Sequence, residues 1–352
     1  MHIFLSSLSK TVDFLHFLGF PREDHCRIST STIEYVRRQK HDFKEIFPRQ
    51  TAKLFAMVIS SQCRLVQPAT IIFIFALSWP CYADEHQTNS SRLIVQQGII
   101  EIPDYEEATK VAKEKSAMLL VSIRAKNLTN TNDLVTQQLA DPSVREVFIN
   151  SKTPWVFCEL NFDKTSITLL HSNSLQQLRK GPGIFVVDYA NKAMHGRVIS
   201  ALPRQNGQYY TFQPSDLLLL PALPTGSLTQ RSMILAVRRH TDLPKSTDGI
   251  FDIELSKAAT LHSVHQAQLQ KQGHHDWQRR SQQLRLHGGI AKEVCAESWP
   301  DQDLLDSCVD CVSCWRQSPG HWRAVYGEQS AFAYDIRQGN NSIWYATGIF
   351  IQ

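Results

Sequence analysis

Hydrophobic and polar positions divide the chain into stretches of different period. Between about residue 100 and 220, helical and extended patterns alternate. Tyr105–Ala108 opens a helix rich in Ala, Lys and Glu, and Met118–Ile123, apolar but for Ser122, reads as a buried strand. Asp133 to Ile149 carries a helical period through Leu134, Leu139, Val144, Val147 and Phe148. Trp155–Leu160 and Gly183–Asp188 read as two further strands. Units of this kind imply an α/β domain, a sheet covered by helices.

After residue 220 the pattern changes. The segment 221–249 contains Pro and Gly, with one apolar stretch at Met233–Val237, and reads as a linker running into the next domain's first helix. Glu254 to Gln272 predicts a helix with Leu255, Ala258, Ala259, Leu261 and Val264 apolar, ending at Gly273-His274-His275-Asp276-Trp277. Asp303 to Arg316 predicts another, with Leu305, Cys308, Val309, Val312 and Trp315 at helical spacing. Ala331–Ile336 and Ile343–Phe350 flank Gly339-Asn340-Asn341, a hairpin signal.

The apolar run Ala69–Trp79 has the length of a signal-peptide core and is short for a membrane span. Arg64 precedes it, Cys81-Tyr82-Ala83 follows as a small–x–small cleavage site, and Met57 is a natural start. Residues 57–83 are therefore expected to be a leader and 1–56 an upstream extension. Pro80 before Cys81 argues against a lipoprotein. Of the 37 Lys+Arg and 33 Asp+Glu, 10 and 6 fall before residue 84, which leaves 27 of each and removes the formal +4. That balance carries no nucleic-acid footprint. The expected location is outside the cytoplasm, in the periplasm or the medium, with no stable membrane span once the leader is cleaved. Five cysteines remain: Cys158, Cys295, Cys308, Cys311 and Cys314. An exported protein can keep disulfides, and an odd count leaves a thiol unpaired.

The segment 100–220 resembles the thioredoxin-like fold. Lys180-Gly181-Pro182-Gly183-Ile184 sits where that family carries a cis-proline before a strand, and Asp188–Lys192 looks like the following turn. Where the family's Cys-x-x-Cys would open the helix after the first strand, this chain has Arg124-Ala125-Lys126-Asn127-Leu128-Thr129-Asn130. Without a thiol there, no thiolate can attack a disulfide. Cys158 lies inside a strand and reads as a buried small hydrophobe. The resemblance implies a scaffold or binding module without redox chemistry.

Residues 228–352 resemble the CAP superfamily (the secreted cysteine-rich, antigen 5 and pathogenesis-related group) in its bacterial form. The marks are the Gln266-Ala267 helix ending at Gly273-His274, then Glu293-Val294-Cys295-Ala296 where the family often has Gly-Glu-Asn. Ser318-Pro319-Gly320-His321 and a closing aromatic strand complete them. The resemblance implies an α-β-α sandwich with a central cleft of two histidines and acidic residues that can take a divalent metal. Carried over by residue, the cleft is His274, Glu293 and His321, with His275 competing with His274 and Glu297 standing in reserve for Glu293. Val294 replaces the family's Asn. Two imidazoles and a carboxylate suit zinc or a similar ion in an open site.

Cys308-x-x-Cys311-x-x-Cys314 does not read as a metal motif. At about 100° and 1.5 Å per residue, its outer thiols lie about 120° apart around the helix and about 9 Å apart along it. A disulfide from Cys295 to Cys308 or Cys311 is the expected alternative. His262 and His265, three apart, read as packed or surface side chains, and Trp315, Trp322 and Trp344 as core. The leading function is a binding module at the cell envelope or outside, for a lipid, a wall fragment or a protein, and no reaction is required of it. The alternatives are a secreted metal-dependent hydrolase using the same cleft, and a non-redox chaperone or adaptor.

Overall fold

A computed structural model describes residues 94–96, 99–124, 134–161, 168–284 and 289–352. The expected leader, the upstream extension and residues 125–133, where the redox pair would stand, lie outside the described residues. The described residues form one compact unit. It is mixed α/β with two sheets.

The first sheet is assembled from β1 (Ile94–Gln96), β2 (Ile99–Glu101), β3 (Met118–Arg124), β4 (Trp155–Asn161), β5 (Gly183–Asp188) and β6 (Arg197–Pro203), in the order β1-β2-β4-β3-β5-β6. β4 runs parallel to β2 and β3, β5 is antiparallel to β3, and β6 is antiparallel to β5 and so runs with β3 again. Helix α1 (Tyr105–Glu114) starts on Asp104, whose carboxylate accepts from the Glu107 amide at 2.8 Å. The helix expected over 133–149 is two, α2 (Leu134–Ala140) and α3 (Pro142–Ile149), because Asp141 caps and Pro142 opens the second. β3 is buried from Met118 to Ile123 because both of its faces are covered. Leu119, Val121 and Ile123 pack toward α1 and Cys158, while Met118 and Leu120 enter a second core. The Gly181–Pro182 bond is trans, which corrects the expected cis-proline.

The next elements are α4 (Ser215–Leu219), α5 (Leu228–Arg238), β7 (Ile250–Phe251), α6 (Ile253–Leu269), α7 (Trp277–Leu284), β8 (Ala291–Glu297), α8 (Leu304–Gln317), α9 (Pro319–Tyr326), β9 (Ala331–Gln338) and β10 (Trp344–Ile351). The second sheet has the order β7-β9-β10-β8. α6 packs on one face, around Leu255, Ala259, Ala333 and Ile349. α5 and α8 pack on the other, around Phe332, Tyr334, Phe350, Val312 and Trp315. With helices on both sides, every residue of β10 is buried. Gly348 makes that layering fit, since a Cβ there would meet the Tyr334 ring at 2.6 Å.

The segment read as a linker contains α5, and α5 is core. It packs on β6 of the first sheet, on β9 of the second and against α8. Met233, Ile234, Leu235, Ala236 and Val237 are all buried. One apolar cluster consequently runs from Leu120, Val186 and Ile199 through α5 to Trp315 and Phe332. Polar ties reinforce it. Asp306 on α8 accepts the amides of Tyr209 and Tyr210 at 2.7 Å each, and Gln177 bonds both the Ala201 carbonyl and the Leu305 amide. The guanidinium of Arg231 in α5 is buried among the carbonyls of Leu220, Leu223 and Pro224 and the Ser200 hydroxyl.

Candidate functional site

The site is assembled at one end of the second sheet, on its α6 face. Strand alternation puts Glu293 and Cys295 of β8 on that face, and Val294 and Ala296 in the core behind it. α6 stops at Gln270, which takes a left-handed φ of 51°. Gln266 then braces the outgoing turn: its amide group donates to Thr347 Oγ1 at 2.9 Å and its oxygen accepts from the Gly273 amide at 3.0 Å. That turn delivers His274. His321 comes from the opposite side, in the first turn of α9, where Ser318 breaks the chain between α8 and α9 and Pro319 restarts it.

Glu293 is the hub, and its carboxylate is fully buried. Arg280 of α7 donates to Oε2 through Nε at 3.0 Å and Nη2 at 2.6 Å, and anchors its remaining arm on the His275 carbonyl. The other oxygen, Oε1, lies 3.0 Å from His274 Nδ1. A carboxylate only accepts, so Nδ1 carries the proton and the His274 lone pair sits on Nε2. Nε2 of His274 lies 3.5 Å from Nε2 of His321. Burial and the neighbouring His274 hold the His321 pKa below its ordinary value.

The structure thus joins the three expected residues as a pair of open imidazole nitrogens with a carboxylate behind one of them. Glu293 orients His274 and does not stand between the two rings. His275 turns away, its Nε2 3.2 Å from the Lys271 carbonyl and its ring beside those of His262 and His265, so His274 holds the first place. Glu297 lies four residues along β8, about 13 Å from Glu293, and is exposed. The expected disulfide is not formed, because the second sheet separates its partners. Cys295 faces α6, Cys308 and Cys311 lie in the core on the α8 side, and all five described cysteines are free. Trp315 and Trp344 are core as expected. Trp322 is half-buried at the edge of that core; its ring lies tilted beside that of His240 and, with Asp242, Arg316 and Tyr326, it lines an open pocket of about 450 Å³.

Three participants escape a reading by sequence. Arg280 carries no motif, and Cys295 follows Val294, the residue that stands where the family's Asn was expected. His262 is buried beneath the site rather than at the surface, its Nε2 2.9 Å from the Gly273 carbonyl and 3.5 Å from Cys295 Sγ. The signal for His262 was available: it shares the α6 face of Leu255, Ala259 and Gln266. Burial, partly opposed by Glu293, pushes the His262 pKa down to about 4.

That shift sets an acid limit. The unfolded chain protonates this imidazole near its ordinary 6.5, and the folded chain only near 4, so the unfolded state binds the extra proton in between. Stability should hold above about pH 6.5 and decline as pH falls toward about 4, by up to about 3 kcal/mol. Urea midpoints across that window measure the slope, and His262→Asn should flatten it. An unchanged slope in that variant would assign the acid sensitivity elsewhere.

No family model, curated protein or solved structure matches this chain. Among the described residues, no helix is long and apolar enough to cross a membrane.

Proposed function

We propose that the chain is an exported binding protein whose second half is a CAP-like module with a divalent-cation cleft at His274 and His321. The observation that carries this reading is the 3.5 Å separation of the two Nε2 atoms. Zinc bound by two imidazoles at about 2.0–2.1 Å with a tetrahedral angle holds its nitrogens about 3.4 Å apart. The Glu293 carboxylate on His274 Nδ1 supplies the outer hydrogen bond that fixes a ligating imidazole's tautomer and direction. A cation there would provide a Lewis-acidic anchor with positions left for oxygen donors of a ligand. The chain's own part is to hold two imidazoles still at a half-exposed surface. No reaction is needed.

Helix layers on both faces of the second sheet support the CAP-like reading, as does the helix break at Ser318-Pro319-Gly320-His321. For the first half, the strand order β2-β4-β3-β5-β6 with β5 alone reversed supports the thioredoxin-like reading. Cys158 is buried with its pKa pushed up to about 12 by burial, which suits a packed thiol and not a reactive one. The envelope ligand is of the lipid, wall-fragment or protein class.

Titration calorimetry of the full chain with Zn²⁺ tests the cleft. Binding should weaken at least 100-fold in His321→Ala and in His274→Ala with folding intact. Unaltered affinity in both variants would refute the cleft as a cation site.

A further inference from the structure

Beneath the His274–His321 pair lies a second constellation. Nε2 of His262, Oε1 of Glu293 and Sγ of Cys295 lie within 4.8 Å of one another, and all three residues are buried. Their separations are 3.5 Å from sulfur to His262 Nε2, 3.7 Å from sulfur to Glu293 Oε1 and 3.7 Å from His262 Nε2 to the same oxygen. A tetrahedral zinc ion with a thiolate at about 2.3 Å, an imidazole at about 2.0–2.1 Å and a carboxylate at about 2.0–2.2 Å sets these edges at about 3.3–3.6 Å. The triangle matches to within a few tenths of an ångström.

A satisfied polar core does not account for it. His262 is fully enclosed, yet its Nδ1 has no hydrogen-bond partner, so half of the ring's bonding capacity is lost to burial. Cys295 contributes little packing, since its sulfur is turned toward the Glu293 carboxylate and two imidazoles. The geometry points to a second, enclosed site for a thiophilic divalent cation of the zinc class, ligated by His262, Glu293 and Cys295 and separate from the outer cleft.

Occupation of this site needs two protons to move and no electrons. The Cys295 S–H bond breaks as the S–metal bond forms, and that proton leaves to solvent. His262 exchanges its Nε2 proton for one on Nδ1, which frees the Nε2 lone pair and gives up the bond to the Gly273 carbonyl. Thiolate and carboxylate then neutralise the divalent charge. Arg280 stays on Oε2, so Glu293 is shared between the cation and the guanidinium, the usual outer partner of a ligating carboxylate. Sulfur is what distinguishes the two sites, because the outer pair offers nitrogen alone.

Cobalt(II) titration of the full chain provides the test, because a thiolate ligand gives a near-ultraviolet charge-transfer band that imidazole does not. The band should appear in the wild type, vanish in Cys295→Ser and in His262→Gln, and persist in His321→Ala, which loses only the outer equivalent. Should Cys295→Ser fail to fold, His262→Gln is read in its place. A wild type without the band, or a band that survives Cys295→Ser, overturns the site. Loss of the band in His321→Ala overturns it as well, by assigning Cys295 to the outer cleft. The outer cleft stands or falls separately, on whether His321→Ala loses an equivalent.

Discussion

Replacing Arg280 with alanine should destabilise the folded chain by about 3–5 kcal/mol, the cost of leaving a buried charge without its partner. Glu293 is fully buried and Arg280 almost so, and both nitrogens of the guanidinium edge converge on one carboxylate oxygen. What remains in Arg280→Ala is an enclosed carboxylate with His274 Nδ1 as its one strong donor. Denaturant midpoints measure the loss. The double variant Arg280→Ala/Glu293→Gln should recover part of it, since the unpaired charge has gone. Cation affinity at the outer cleft should not return with stability in that double variant, because a neutral amide holds the His274 tautomer less firmly than a carboxylate. A single variant as stable as the wild type would show that the pair contributes nothing net.

The other large effect is expected at Arg231. Burial lowers its pKa to about 9, partly offset by Asp188, so it is still charged at neutral pH, and its donors reach three main-chain carbonyls and Ser200. Arg231→Ala removes those donors and opens a cavity. At about 1–3 kcal/mol for each buried group left unpaired, the total loss should be at least about 4 kcal/mol. Arg231→Met refills most of the space without restoring the bonds and should fall between the alanine variant and the wild type. Equal midpoints for methionine and arginine would show that the side chain acts by volume alone. Thermal unfolding separates these outcomes, since about 1 kcal/mol shifts the midpoint by about 2–4 °C in a unit of this size.

Much of this architecture can be read from local pattern. Met118–Ile123, Trp155–Leu160 and Gly183–Asp188 are strands as their apolar runs imply, and the hairpin at Gly339-Asn340-Asn341 joins β9 to β10. The His274, Glu293 and His321 trio converges because its motifs fall at element ends, where turns fix direction. The helix α5 was hidden by its own success at burial. Packed by two sheets and a helix, it gathers its polar residues Thr229–Ser232 and Arg238 toward its ends rather than along one face, and the flanking Pro221, Pro224 and Pro244 suggest a linker. Arg280 and Cys295 were hidden for another reason. Their roles exist only once β8 lies beside α6 and α7, and sequence spacing holds no trace of that register.

The position of α5 also governs how the molecule can move. A chain made of two modules on a tether can swing one against the other at almost no cost, and a ligand held between them can be gripped or released that way. Here the element between the modules is a desolvated wedge, gripped on three sides and pinned by a guanidinium. Any swing must first pull that wedge out of its seat. The two sheets are therefore expected to travel together, and a ligand of the proposed His274–His321 cleft would meet it already set.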